Sequence, residues 1–180
     1  ALGSEAGLAA ALSYLVHSTL VAGGLFLLAD LIARQRGDLG TDLISAPALR
    51  QPLLLGTLFF MGAISVAGLP PFSGFLGKVM LLRAIELGAD AIALWAVVLV
   101  GGLGMLISLS RAGSLVFWRP SAEAVGQPAD AIRVLATVGL LLGSVMLVVA
   151  AGPLQAFVQA TAAQLLDVAP YLQILQGGAA

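Results

Sequence analysis

Between Glu5 and Asp30 no side chain carries charge at neutral pH, and only His17 can titrate close to it. About 20 apolar residues at 1.5 Å per residue carry a helix across the roughly 30 Å of hydrocarbon in a bilayer. The interval meets that length in one piece. A first span is therefore expected near Leu8–Ala33, with Ser4 as its N-cap and Glu5 favourable in the first turn. The rest of the chain offers little with which to shield such a helix in water. Of 180 residues, 60% are hydrophobic and 9% charged, against roughly 45–50% and 25% in soluble domains. The fold class expected is all-α, a polytopic transmembrane helix bundle. Disorder, nucleic-acid binding and secreted disulfide scaffolds are excluded by the same figures. There is no cysteine, and a net charge of −1 gives no basic footprint for phosphates. Without thiolates there are no iron–sulfur or cysteine–metal sites, and no cofactor is expected.

About five spans are expected. After the first, Arg34–Pro52 collects Arg, Asp, Gly, Ser and Pro and reads as an extramembrane loop. Leu53–Leu69 is a short uncharged span that stops at Pro70-Pro71. The first proline pushes Leu69 out of helical conformation, and the second suits the first turn of a new helix, expected over 71–87. A fourth span covers 91–117, with Trp95 and Trp118 as interfacial anchors. Arg111–Arg133 is a second polar loop. The fifth span, 134–151, is ended by Gly152-Pro153. Leu154, Phe157, Val158, Leu165 and Leu166 then recur at helical spacing among Gln155, Gln159, Gln164 and Asp167. They define an amphipathic tail helix over 154–168, lying on the membrane surface or a neighbouring subunit, or else extending the fifth span at a tilt. Residues 1–168 form a single bundle and 169–180 a C-terminal tail. No signal peptide is visible, and the chain reads as a piece of a larger membrane protein. Arginines divide four against three between the two sides, so charge sets no orientation.

Ionisable groups inside spans are costly and mark function. Lys78, the only lysine, stands eight residues beyond Pro70, about 12 Å along a helix. An ammonium at such depth costs about 2.5–3.5 kcal/mol on insertion scales. Gly74 and Gly77 beside it leave room for another backbone or for water. A desolvated lysine releases and regains a proton more readily; the alternative is a side chain that snorkels to the headgroups. His17 lies about 13 Å into the first span by the same rise. It shares a helix face with Ser13, Tyr14, Val21 and Gly24, and Ser18 and Thr19 follow it directly. This arrangement fits either a proton relay or a neutral histidine hydrogen-bonded across a helix interface. The candidate proton path is thus Lys78 and His17, supported by Tyr14, Ser18, Thr19, Ser73, Gly74 and Gly77.

Arg83 and Glu86, at i and i+3 with Asp90 beyond, form a candidate ion pair or a solvated helix end, and Asp30 with Arg34 is read likewise. Gly101-Gly102-Leu103-Gly104 sits within an apolar span and is a packing feature, not a phosphate loop. Paired carboxylates, a nucleophile elbow and a metal-ligand cluster are all missing from the sequence.

The stretch Ala67-Gly68-Leu69-Pro70-Pro71-Phe72-Ser73-Gly74-Phe75-Leu76-Gly77-Lys78 resembles a hallmark of the antiporter-like membrane subunits shared by NADH–quinone oxidoreductases and Mrp-type multisubunit cation/proton antiporters. Tyr14-Leu15-Val16-His17-Ser18-Thr19, running on to Leu25-Phe26-Leu27-Leu28-Ala29-Asp30-Leu31, resembles the tenth helix of that family and is most similar to the branch formed by the D subunits of Mrp antiporters. The resemblance implies that Lys78 is the functional lysine of a discontinuous twelfth helix and His17 the polar position of the tenth. It implies helices ten to fourteen of a longer chain, whose earlier helices supply a glutamate and further lysines. It implies a bacterial inner-membrane subunit, not an enzyme, that moves H⁺ against Na⁺ or another monovalent cation among other membrane subunits. A proton-pumping subunit of an NADH–quinone oxidoreductase and a non-conducting structural subunit are the alternatives.

Overall fold

The computed structural model describes residues 3–44, 46–85, 88, 91–118, 121, 123–124, 127–169 and 172. Among them all regular structure is helical: α1 (Glu5–Arg36), α2 (Pro52–Ala67), α3 (Ser73–Ala84), α4 (Ala91–Gly113), α5 (Ala131–Val149) and α6 (Ala151–Leu166). A short 3₁₀ turn follows α1, and a π turn, Ser114–Trp118, prolongs α4. Three helical stretches are long and apolar enough to cross a membrane, namely Glu5–Leu39, Ala91–Trp118 and Ala131–Val149; α2 is apolar but shorter.

The bundle is organised on α1. Its 32 residues make a rod of about 48 Å. Ser4 caps it, the hydroxyl accepting from the Gly7 amide at 3.1 Å. Its buried positions recur every three or four residues: Ala10, Ser13, His17, Val21, Gly24, Leu28, Leu31 and Gln35. Everything else packs along this stripe. α5 runs antiparallel to α1, with Leu140 and Leu141 seated on Gly23 and Gly24, and Leu20 on Gly143. Lipid tails are as apolar as leucine, so such small-against-large fits hold helices together by dispersion and shape.

α2 and α3 also run antiparallel to α1, one after the other. Gln51 meets Gln35, Gly62 meets Leu25, Ser73 meets His17 and Gly77 meets Tyr14. The two helices form a single interrupted path with its break at Gly68–Phe72. The break is specified locally. Gly68 adopts φ +76°, its amide bonds Ser65 O at 3.2 Å, and the Leu69 amide bonds Ile64 O at 3.1 Å. That is a Schellman C-cap, whose left-handed residue is usually glycine. A turn closed by the Phe72 amide on Leu69 O follows. Consequently α3 begins at Ser73; the expectation that Pro71 would open it is corrected, because Pro71 belongs to the turn. α3 ends at Ala84, and the expected pairing of Arg83 with Glu86, like Asp90, lies outside the described residues.

α4 packs mainly on α2, with Phe59 and Phe117 rings 5.5 Å apart, and most of its surface is exposed. α6 follows a bend at Ala150 and lies along the N-terminal part of α1. Pro153 falls in its first turn, where a missing amide hydrogen is tolerated. Its docked stripe is Leu154, Val158 and Ala162 against Leu8, Ala9 and Leu12. Phe157, Leu165 and Leu166, expected on the same apolar face, point outward.

At the other end, the expected loop over 34–52 begins at Gly37, three residues later than expected, and is built on side chains of α1. Gln35, fully buried, accepts from the Arg50 amide at 2.9 Å and the Gln51 amide at 3.3 Å and donates to Gln51 Oε1; that oxygen also receives the Ala129 amide at 2.8 Å. Arg36 is buried and donates to the carbonyls of Gly40, Asp42 and Ile44. Asp30 accepts from Arg34 at 2.9 Å and from Arg133 at 2.6 Å.

Candidate functional site

The break between α2 and α3 gathers His17, Ser65, Ser73 and Ser144 of the buried polar side chains, with Lys78 beside them. A helix end leaves its last carbonyls unpartnered and carries partial negative charge. At the end of α2 the Schellman cap satisfies Ile64 and Ser65. Lys78, reaching back from the second turn of α3, donates its Nζ to Ala67 O at 2.6 Å. The amine therefore points toward the break, not toward the far end of α3. Its stem lies over Gly68, where an added Cβ would stand 2.6 Å from Cδ, and Nζ lies 2.8 Å from where a Cβ on Gly102 of α4 would be. Two clefts of about 260 and 350 Å³ flank it, bounded chiefly by apolar groups of α2, α3 and α4. Each has room for several waters.

His17 faces the same break from α1 and is 3% exposed. Its Nδ1 lies 2.7 Å from Ser73 Oγ, the first residue of α3. Ser73 Oγ lies 2.8 Å from Ser144 Oγ of α5, and Ser144 Oγ lies 2.8 Å from Ser65 Oγ in the last turn of α2. Four helices are thus tied by a buried imidazole and three buried hydroxyls. Among the described residues every buried side-chain nitrogen and oxygen has a partner. Gly74 makes the assembly possible: a Cβ there would overlap the Ser65 carbonyl oxygen and lie 3.0 Å from the imidazole. Tyr14 stacks obliquely on His17, centroids 5.5 Å apart, and its ring packs on Gly77.

The residues expected around the polar path are therefore only partly assembled. Lys78, His17, Tyr14, Ser73, Gly74 and Gly77 come together at the break. Ser18 and Thr19 do not join His17; both hydroxyls donate to the Leu15 carbonyl one turn back, at 3.1 and 2.8 Å, as serine and threonine in helix interiors do. The hydroxyl that meets the imidazole is Ser73. Ser65 and Ser144 escaped the sequence reading, because a lone serine in an apolar span gives no sign of what it faces. Among the described residues no cluster of His, Cys, Asp and Glu has metal-binding geometry.

A family described as NADH:quinone oxidoreductase/Mrp antiporter, TM, matches residues 1–108. The chain belongs to this family. As a member it is a multi-pass membrane protein. It is 34% identical, over 92% of its length, to the D subunit of a probable K(+)/H(+) antiporter of Rhizobium meliloti (strain 1021), covering 36% of that protein. It is 32% identical, over 68% of its length, to the D subunit of the Na(+)/H(+) antiporter of Bacillus subtilis (strain 168), covering 24%. Its fold matches a chain of the Mrp complex from Dietzia sp. DQ12-45-1b with a TM-score of 0.79 and 24% identity, over 96% of this chain and 40% of that one. The chain thus spans about a third of the relatives' length. The Rhizobium and Bacillus relatives are named as antiporter subunits, in line with the family resemblance.

Proposed function

We propose that this member of the NADH:quinone oxidoreductase/Mrp antiporter family works within a membrane subunit of a monovalent cation/proton antiporter, where it carries protons past the break between α2 and α3. Lys78 and His17 bear the exchange. The observation that supports this most is the Lys78 contact with the Ala67 carbonyl. An ammonium suits the negative end of a helix, and a neutral amine keeps N–H groups for the same carbonyl. One contact can thus hold the side chain in both protonation states, as a group that loses and regains a proton without leaving its place requires. Water in the flanking clefts would connect Nζ to further groups. An ammonium repels Na⁺, so the metal-cation route runs through other residues or subunits. The partners are other membrane subunits of a multisubunit antiporter in a bacterial inner membrane, with H⁺ and Na⁺ or another monovalent cation as cargo.

The test is Lys78→Ala in the full-length subunit, in its assembled complex, assayed in everted membrane vesicles. Antiport should disappear while assembly persists. Antiport at the wild-type rate would refute the proposal and favour a structural subunit.

A further inference from the structure

Ser144, on a helix that contributes no ionisable group to the break, holds a position that bears on when His17 takes up a proton. The chain of contacts is His17 Nδ1, Ser73 Oγ, Ser144 Oγ, Ser65 Oγ, at 2.7, 2.8 and 2.8 Å. All four residues are at most 5% exposed. Each hydroxyl has one hydrogen to give and can accept as well. When Nδ1 is bare, Ser73 donates to it, Ser144 to Ser73 and Ser65 to Ser144. Three hydrogens make three bonds. When Nδ1 carries hydrogen, as in the imidazolium, the ring donates to Ser73 and Ser73 donates to Ser144, while Ser144 turns its own hydrogen to Ser65 or to another acceptor. No covalent bond to a hydroxyl breaks; each hydroxyl turns about its C–O bond.

The three serines are not equivalent in the reversed arrangement. Ser65 and Ser144 lie inside helices, where a serine hydroxyl can turn to donate to the carbonyl four residues back, that of Met61 or Leu140, in place of the other serine. Ser73 opens α3 and has no preceding helical turn to use. Its hydrogen depends on Ser144 Oγ. We infer that Ser144 is a positioning residue which, by accepting the Ser73 hydroxyl, allows the buried His17 imidazole to hold a proton. The charged group near His17 is Lys78 of α3, and Tyr14 of its own helix is the other titratable neighbour. α2, α5 and α6 bring no titratable side chain to the break, since the only one on them, Arg133 of α5, pairs with Asp30 at the end of the bundle. The inference rests on the transport reading above and adds the device that sets its pH range.

The experiment measures antiport against pH in vesicles carrying the assembled complex with Ser144→Ala, Ser65→Ala or Lys78→Ala. Alanine in place of Ser144 strands the Ser73 hydrogen only in the protonated state, which disfavours proton uptake. The Ser144→Ala profile should move toward acid by about one pH unit, from the usual penalty of an unsatisfied buried donor converted at 1.36 kcal/mol per unit. Ser65→Ala should shift it by less than half as much, because the Ser144 hydroxyl can turn to the Leu140 carbonyl one turn back. A Ser144→Ala profile that superimposes on wild type overturns the inference. So does an equal shift for both serine variants, or loss of antiport at every pH in an intact Ser144→Ala complex. Full antiport in Lys78→Ala defeats the transport reading itself. An inactive Lys78→Ala beside an unmoved Ser144→Ala profile defeats only the role of Ser144.

Discussion

The interior of the break leaves individual residues little room. Gly74 is the tightest case, since any side chain there meets the Ser65 carbonyl and the His17 ring. Gly74→Ala should lower the stability of the solubilised protein by about 1–3 kcal/mol, the usual cost of overpacking. Gly101, with open space where a Cβ would be, should accept alanine within about 0.5 kcal/mol. Thermal unfolding in detergent, followed by the loss of monodisperse protein, compares the two; equal midpoints would contradict the packing described. At this scale the sequence was informative about Lys78 and His17, because charge and imidazole are rare and costly in apolar spans. It was silent about Ser65 and Ser144 and misleading about Ser18 and Thr19. Adjacency along a helix points successive side chains in different directions, whereas the partner of His17 comes from 56 residues away.

At the scale of elements, the interruption of α2 and α3 follows from glycine at a left-handed position and two prolines in the turn beyond it. Gly68→Ala forces a Cβ onto φ +76° and against the Lys78 stem, and should cost about 1–2 kcal/mol in the same unfolding assay. It should also disturb transport, because the Lys78 contact depends on where α2 ends. The far end of α1 makes a different contrast. Gln35→Ala strips buried partners from the Arg50 and Gln51 amides and should cost about 1–3 kcal/mol. Asp30→Asn weakens ion pairs that are 41% exposed or more and should cost less than about 1 kcal/mol. The reverse ranking would contradict the structure. The helices themselves were legible from long uncharged runs bounded by Pro, Gly and Arg. The roles of Gln35 and Arg36 were not, since polar residues after an apolar run read as loop in any membrane protein.

At the scale of the whole molecule, α1 is the axis, covered by the α2–α3 path, by α5 and by α6. The composition pointed to a helical membrane bundle, and its family is legible in the residues around His17 and Lys78. The placement of α6 was not legible, because both its faces carry apolar groups and only α1 decides which one docks. Ala162 is fully buried on that side. Ala162→Leu should destabilise by about 1–3 kcal/mol, while Phe157→Ala, on the outward side, should be nearly neutral in detergent. Equal losses would place α6 elsewhere.

Proton exchange by Lys78, as distinct from its capping of α2, is tested most directly by Lys78→Arg in the assembled complex. Arginine keeps the positive charge and the donors for the Ala67 carbonyl, yet holds its proton at every accessible pH. The Lys78→Arg complex should assemble and show no antiport. Antiport at or near the wild-type rate in that variant would show that a fixed charge suffices, and would contradict the claim that this amine gives up its proton.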